Sequence, residues 1–135
     1  MPSSKPEQRF RDIIKNIDRI RAFTGGLTYE QFVGDERTRL AVERCLPIIS
    51  EAAVKLGELA QEACPTVPWP QIRRSGSVLR HDYDEIDHAI VWGVVTERLD
   101  ELRRACTEEL GRRGADPGAG GAGSGGGASP PASSG

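Results

Sequence analysis

The chain has 135 residues, with 18 Lys and Arg against 20 Asp and Glu and a formal net charge of -2. This length favours one domain, and the near-neutral balance excludes a nucleic-acid footprint spread over the whole surface, so any such contact must be local. No apolar run is long enough to cross a bilayer, and the N-terminal residues 1–6 lack an apolar stretch of signal-peptide type, so a cytoplasmic chain is expected.

The first predicted element is an amphipathic helix. Phe10, Ile13, Ile14, Ile17, Ile20 and Phe23 recur every three or four residues and make one apolar stripe. Gly25-Gly26 ends it. Thr28-Tyr29-Glu30-Gln31 has the capping-box pattern, which predicts a short helical turn carrying Tyr29 and Phe32. Gly34-Asp35 closes that turn, and Asp35 can cap the next helix.

The third helix is the longest, with a broad apolar face formed by Leu40, Ala41, Cys45, Leu46, Ile48, Ile49, Ala52, Ala53, Leu56, Leu59 and Ala60. Pro47 lies inside it, and a kink is expected there because proline removes one helical hydrogen bond and crowds the preceding turn. Residues 64–70, Cys-Pro-Thr-Val-Pro-Trp-Pro, form a tight connector. A fourth helix over 70–80 would bury Ile72, Val78 and Leu79. A fifth over 86–112 would bury Ile86, Ala89, Ile90, Val94, Leu99, Leu102 and Cys106. Acids crowd the start of that helix and arginines its end, as the helix dipole favours. No strand pattern of useful length occurs, so the predicted class is all-α, a bundle of four to five helices.

Residues 114–135 differ from everything before them. They contain 9 of the 16 glycines, with Asp116 as the only charge. Such a composition cannot bury enough apolar surface to offset the entropy of ordering. The expected division is a helical domain over 1–113 and a disordered tail over 114–135.

The sharpest charge contrast lies between residues 71–81, which hold Arg73, Arg74, Arg80 and His81 and no acid, and residues 82–87, which hold Asp82, Asp84, Glu85 and Asp87. Arginine forks suit phosphate oxygens, and a histidine beside them can move protons near neutral pH. The same pattern also describes a solvated basic helix face followed by an acidic helix start. His81, Asp84 and His88 are close in sequence but lack the spacing of a helical zinc motif, so no metal site is expected. Cys45, Cys64 and Cys106 are odd in number, widely spaced and form no Cys-x-x-Cys pair, which suits reduced buried thiols. No nucleophile elbow and no phosphate-binding glycine loop is present, and no cofactor is expected.

Several blocks carry a resemblance. Trp69-Pro70-Gln71-Ile72, Leu79-Arg80-His81-Asp82-Tyr83, Ile86-Asp87 and Ile90-Val91-Trp92 resemble the HepT-like group of the HEPN superfamily. The stretch from Ala41 to Ala53 resembles its long helix, and Arg11-Asp12-Ile13 with Ile17 to Phe23 its first helix. The likeness covers about residues 9–110. It implies a homodimeric helical bundle acting as the toxin of a type VII toxin–antitoxin system. The activity it implies is a metal-independent ribonuclease acting on RNA. The implied partner is a minimal nucleotidyltransferase antitoxin that silences the toxin by AMPylation of a tyrosine.

Residue by residue, the family's catalytic His falls on His81 and its modified Tyr on Tyr83. The family's Arg falls on Gly76, and the Asn that follows it on Ser77. Arg80, one helical turn beyond Gly76, is the residue expected to take the missing arginine's place. Arg73 and Arg74 are further candidates to bind phosphate. Glu51, in the long-helix block, could orient an arginine or be a surface acid. Two functions stay open at this point. One is the ribonuclease toxin. The other is a catalytically impaired dimeric module that only pairs with the nucleotidyltransferase.

Overall fold

The computed structural model describes residues 5–75 and 88–117. Among them the chain is all helical, in seven segments: α1 (Pro6–Thr24), α2 (Tyr29–Gly34), α3 (Glu36–Leu56), α4 (Glu58–Ala63), α5 (Trp69–Arg74), α6 (His88–Glu97) and α7 (Leu99–Arg112). The expected all-α class is what forms. The segments outnumber the expected four to five because two predicted long helices are each divided.

The first division falls at Gly57, whose φ of 60° and ψ of -142° suit glycine and break the helix between α3 and α4. Pro47, where the kink was expected, lies within a single continuous α3. The second division is at Arg98, where φ is -111° and ψ is -30°. Its backbone N–H still donates to the Val94 carbonyl at 3.0 Å, so α6 and α7 follow one another with only a local offset.

Local signals set the helix starts. The Thr28 hydroxyl accepts from the Gln31 N–H at 3.1 Å, while the Gln31 side chain accepts from the Thr28 N–H at 2.9 Å. Asp35 accepts from the Thr38 N–H at 3.1 Å and begins α3.

The core lies where α1 packs against α3 and α7, with α5 seated on α3 and α6 against α7 and α2. Phe10, Ile13, Ile17 and Ile20 of α1 face Val42, Leu46, Ile49 and Leu56 of α3, and Leu99, Leu102 and Leu110 of α7 complete the cluster. Each such side chain removed from water contributes roughly 2 kcal/mol. Phe32 and Trp92 meet with ring centroids 4.9 Å apart and pin α2 to α6, with Tyr29 at 6.3 Å from Trp92.

Some predicted core residues are not in the core. Phe23 is 44% exposed, Leu40 56%, Ile48 37% and Ile90 49%. Helical rotation explains the first three. The buried line of α3 runs Val42, Cys45, Leu46, Ile49, Ala53, Leu56, and Leu40 and Ile48 project well away from it. In α1 the stripe passes from Ile20 to Thr24, which is buried with its hydroxyl donating to the Ile20 carbonyl at 2.8 Å. Phe23 is left outside. For Ile90, Val91 takes the buried position of α6.

Ion pairs tie the chain ends together. Glu109, buried in α7, accepts from Arg112 Nε at 2.9 Å and Arg113 Nε at 2.8 Å. Arg113 also reaches Glu7 of α1 at 3.2 Å and lies over the Phe10 ring. The chain stays on the fold past α7: Ala115 packs against the core, its N–H donates to the Leu110 carbonyl at 2.8 Å, and Arg11 donates to the Asp116 carbonyl at 3.1 Å. Of the segment expected to be a disordered tail, residues 118–135 lie outside the described residues.

Candidate functional site

The basic stretch begins on α5, and its anchor is Trp69. This indole is fully buried, and its N–H donates to the Cys64 carbonyl at 2.9 Å. The prolines on either side, Pro68 and Pro70, fix the entry into the helix, with Pro70 in its first turn. Ile72 is buried beneath. The Ser50 hydroxyl of α3 donates to the Arg73 carbonyl at 2.5 Å, and the Ser75 hydroxyl donates to the Ile72 carbonyl at 2.6 Å.

Arg73 and Arg74, adjacent in sequence, point to different surroundings. Arg73 turns back towards the α3–α4 break. Its guanidinium donates to the Gly57 carbonyl at 2.9 Å, the Ala53 carbonyl at 3.4 Å and the Gln61 side chain at 3.4 Å. Ala53 lies in the last turn of α3, where a cation is favoured by the helix dipole, and the Gly57 carbonyl also accepts from the Ala60 N–H at 3.2 Å. Arg74 is exposed and lines a groove of about 310 Å³ between α5 and α6. The two candidate phosphate-binding arginines are therefore not brought together.

Arg80, His81 and Tyr83 lie outside the described residues, as do Gly76, Ser77 and the acidic run up to Asp87. Their flanks are described. The chain reaches them from Arg74 at the end of α5 and leaves them at His88, half-buried in the first turn of α6. Both walls of the α5–α6 groove thus border the segment that carries the motif.

Glu51 lies on the solvent side of α3, paired with Lys55 at 3.6 Å, in a separate charged hollow with Arg9 and Asp12. Its charge partner is Lys55, and its neighbours fit a surface acid. Cys45, Cys64 and Cys106 are free and buried, and burial pushes all three thiols up from the ordinary range. Among the described residues no group of His, Cys, Asp and Glu could hold a metal ion. Nor is any helix among them long and apolar enough to cross a membrane.

Residues 13–109 match the family model described as Ribonuclease HepT-like. The chain belongs to the HepT-like ribonuclease family. A candidate RNase of Methanocaldococcus jannaschii is 33% identical over 99 residues, covering 73% of this chain and 82% of the relative. A candidate HepT ribonuclease of Thermococcus cleftensis is 33% identical over 92 residues, covering 68% of this chain and 84% of the relative. A candidate RNase of Caldanaerobacter subterraneus is 31% identical over 94 residues, covering 70% and 80%. No solved structure matches.

The HepT-like match spans α1 to nearly the end of α7 and encloses the whole of the 71–88 region. Gly93 and Arg98, which line the groove opposite Arg74, were not singled out from sequence. The only signal for them was a glycine inside the apolar run of α6 and an arginine where that run ends.

Proposed function

We propose that this HepT-like chain is a ribonuclease of toxin type, the toxin of a type VII toxin–antitoxin pair. The observation that carries the reading is the family match over residues 13–109, and the resemblance of His81-Asp82-Tyr83 to the family's motif supports it. In this mechanism His81 accepts the proton of a ribose 2′-hydroxyl or donates one to the leaving 5′-oxygen. The 2′-oxygen forms a bond to phosphorus as the bond from phosphorus to the 5′-oxygen breaks. A 2′,3′-cyclic phosphate and a 5′-hydroxyl result, with no metal required. Arg80 stabilises the charge that builds on the phosphoryl oxygens. A homodimer would set two such motifs across its axis.

The partner in this reading is a minimal nucleotidyltransferase. It forms a bond from the Tyr83 oxygen to the α-phosphorus of ATP and releases pyrophosphate. The added anionic group two residues from His81 repels the RNA backbone.

The test is cleavage of a single-stranded RNA in the presence of EDTA. Wild type should yield products ending in 2′,3′-cyclic phosphate, and His81→Ala should yield none. Unchanged cleavage by His81→Ala sinks the assignment. Incubation with the nucleotidyltransferase and ATP should raise the intact mass by one AMP, and Tyr83→Phe should abolish the increase.

Gly76 and Ser77, in place of the family's Arg and Asn, favour a second reading. In it the chain has lost cleavage and serves as a binding partner of the nucleotidyltransferase. Growth arrest on expression without the partner separates the two: arrest supports the toxin, and normal growth supports the module.

A further inference from the structure

The α5–α6 groove contains a feature that packing does not explain. Gly93 sits in the interior of α6, where glycine is the poorest residue apart from proline. Among the described residues nothing lies within 4 Å of where its Cβ would be, and its backbone angles are not ones that demand glycine. The core therefore has no need of a bare position there. What the missing side chain does is leave one wall of the groove open down to the helix backbone. Glycine serves this purpose where a ligand must approach the main chain closely.

The groove has an apolar floor and a charged rim. Ile72, Ile90 and Val94 surround Gly93, and Arg74 and Arg98 line the same hollow of about 310 Å³. Glu97 also lines it. A flat apolar surface beside guanidinium groups matches a nucleotide, whose base is planar and whose phosphate suits an arginine fork. A carboxylate at the edge can accept from a base N–H. The groove's two walls are the helices that flank residues 76–87 in sequence, and His81 is among those residues.

We propose that the α5–α6 groove is a subsite for one nucleotide of the RNA strand. The base lies over Gly93 against Ile72 and Val94, and the phosphate is held by Arg74 and Arg98. The proposal rests on the ribonuclease reading and adds to it a place where the substrate is gripped. Gly93 and Arg98 then hold the strand and take no part in proton transfer.

The open space at Gly93 makes the test clean. Gly93→Leu puts a branched side chain into the hollow, and Gly93→Ala is its small counterpart. Binding of a labelled single-stranded 2′-O-methyl oligoribonucleotide to the full chain is followed by fluorescence anisotropy, with circular dichroism confirming the helical fold. Expected is a Kd raised about tenfold or more in Gly93→Leu, the range associated with losing one stacked base, and little change in Gly93→Ala. Arg98→Ala, a second variant that leaves the groove floor untouched, should weaken binding and flatten its salt dependence by about one charge. In cleavage assays both weakening variants should raise KM more than they lower kcat.

If wild type cleaves RNA and Gly93→Leu and Arg98→Ala bind it as well as wild type, the subsite is refuted while the ribonuclease reading stands. If wild type neither binds nor cleaves RNA, both fall together. A free mononucleotide that binds as tightly as the oligomer would make this a nucleotide pocket, which overturns the proposal. A change of molecular mass by light scattering in Gly93→Leu, with RNA affinity preserved, would show that a second copy fills the groove, and overturns it as well.

Discussion

The guanidinium of Arg73 donates to the carbonyl of Gly57 at 2.9 Å, bridging from α5 to the break between α3 and α4. Arg74, the next residue, lines the open groove instead. The pair predicts opposite phenotypes. Arg73→Ala removes a charged donor from helix-end carbonyls and should lower stability by about 2 kcal/mol. Arg73→Lys should recover only part of this, because a single ammonium cannot span the Gly57 and Ala53 carbonyls as a fork does. Arg74→Ala, at an exposed side chain, should cost less stability than Arg73→Ala and should weaken RNA binding. Urea titrations with an unchanged slope, set beside the salt dependence of RNA affinity, check both halves. Equal loss of stability in the two variants would contradict the division.

Trp69 makes a second, independent prediction. Its ring is fully buried and its N–H meets the Cys64 carbonyl at 2.9 Å. Trp69→Phe keeps most of the packing but removes one of the two bonds that carbonyl accepts, the Val67 N–H at 3.2 Å supplying the other, at a cost of about 1 kcal/mol. Trp69→Ala adds a large cavity and should cost about 4 kcal/mol. Chemical denaturation read by circular dichroism distinguishes them. A Trp69→Phe variant as stable as wild type would mean that water or a neighbour takes over the bond.

How much of this was legible in sequence depends on how local its cause is. The Thr28–Gln31 capping box and the Asp35 cap were readable, because the partners lie three residues apart. The buried stripe of α1 was readable as far as Ile20. Phe23, Leu40 and Ile48 were misplaced because hydropathy records that a side chain is apolar, not whether another element comes to cover it. The break between α3 and α4 was not read: it falls at Gly57, which adopts a backbone conformation that larger residues avoid. The divergence of Arg73 and Arg74 could not be read at all, since it depends on acceptor carbonyls 16 and 20 residues upstream. For the site, His81, Arg80 and Tyr83 were found through resemblance, and their positions lie outside the described residues. Gly93 and Arg98 carry no motif, and only their tertiary juxtaposition with Arg74 marks them.

Asp35 gives a pH-dependent prediction. Bonds from the Thr38 N–H at 3.1 Å and the Thr38 hydroxyl at 2.8 Å hold its carboxyl below the usual aspartate range. A carboxyl with a depressed folded-state pKa adds stability above its unfolded pKa of about 3.9, and that stability is lost as pH falls through the folded value. Asp35→Ala should therefore lower Tm at neutral pH, with the gap from wild type narrowing as the pH falls below 4. Asp35→Asn keeps an acceptor for the Thr38 N–H and should retain most of the Tm. Thermal melts across that pH range decide the matter, and a gap that stays constant with pH would rule out the carboxylate as its source.

The buried thiols supply the last test. Cys106 is fully buried in α7, and burial, with Cys64 and Glu109 adding to it, pushes its thiol well above the ordinary range. Cys64 is raised by burial and then by Glu109, and its Sγ donates to the Ala105 carbonyl at 3.6 Å. Cys45 is raised by burial as well, but Arg19 and Arg44 act in the opposite direction. Only a thiolate reacts with an alkylating reagent, so both burial and the raised values protect these groups. In native buffer at pH 8, iodoacetamide followed by mass spectrometry should find Cys106 unmodified over hours and all three cysteines modified in denaturant. Cys45, with two guanidinium groups nearby, should be the first to react. Modification of Cys106 should follow the population of globally unfolded chain, so stabilising solutes slow it in proportion. Rapid labelling of Cys106 at a rate insensitive to denaturant would show that α7 opens locally, and that its contact with α1 does not hold the core closed.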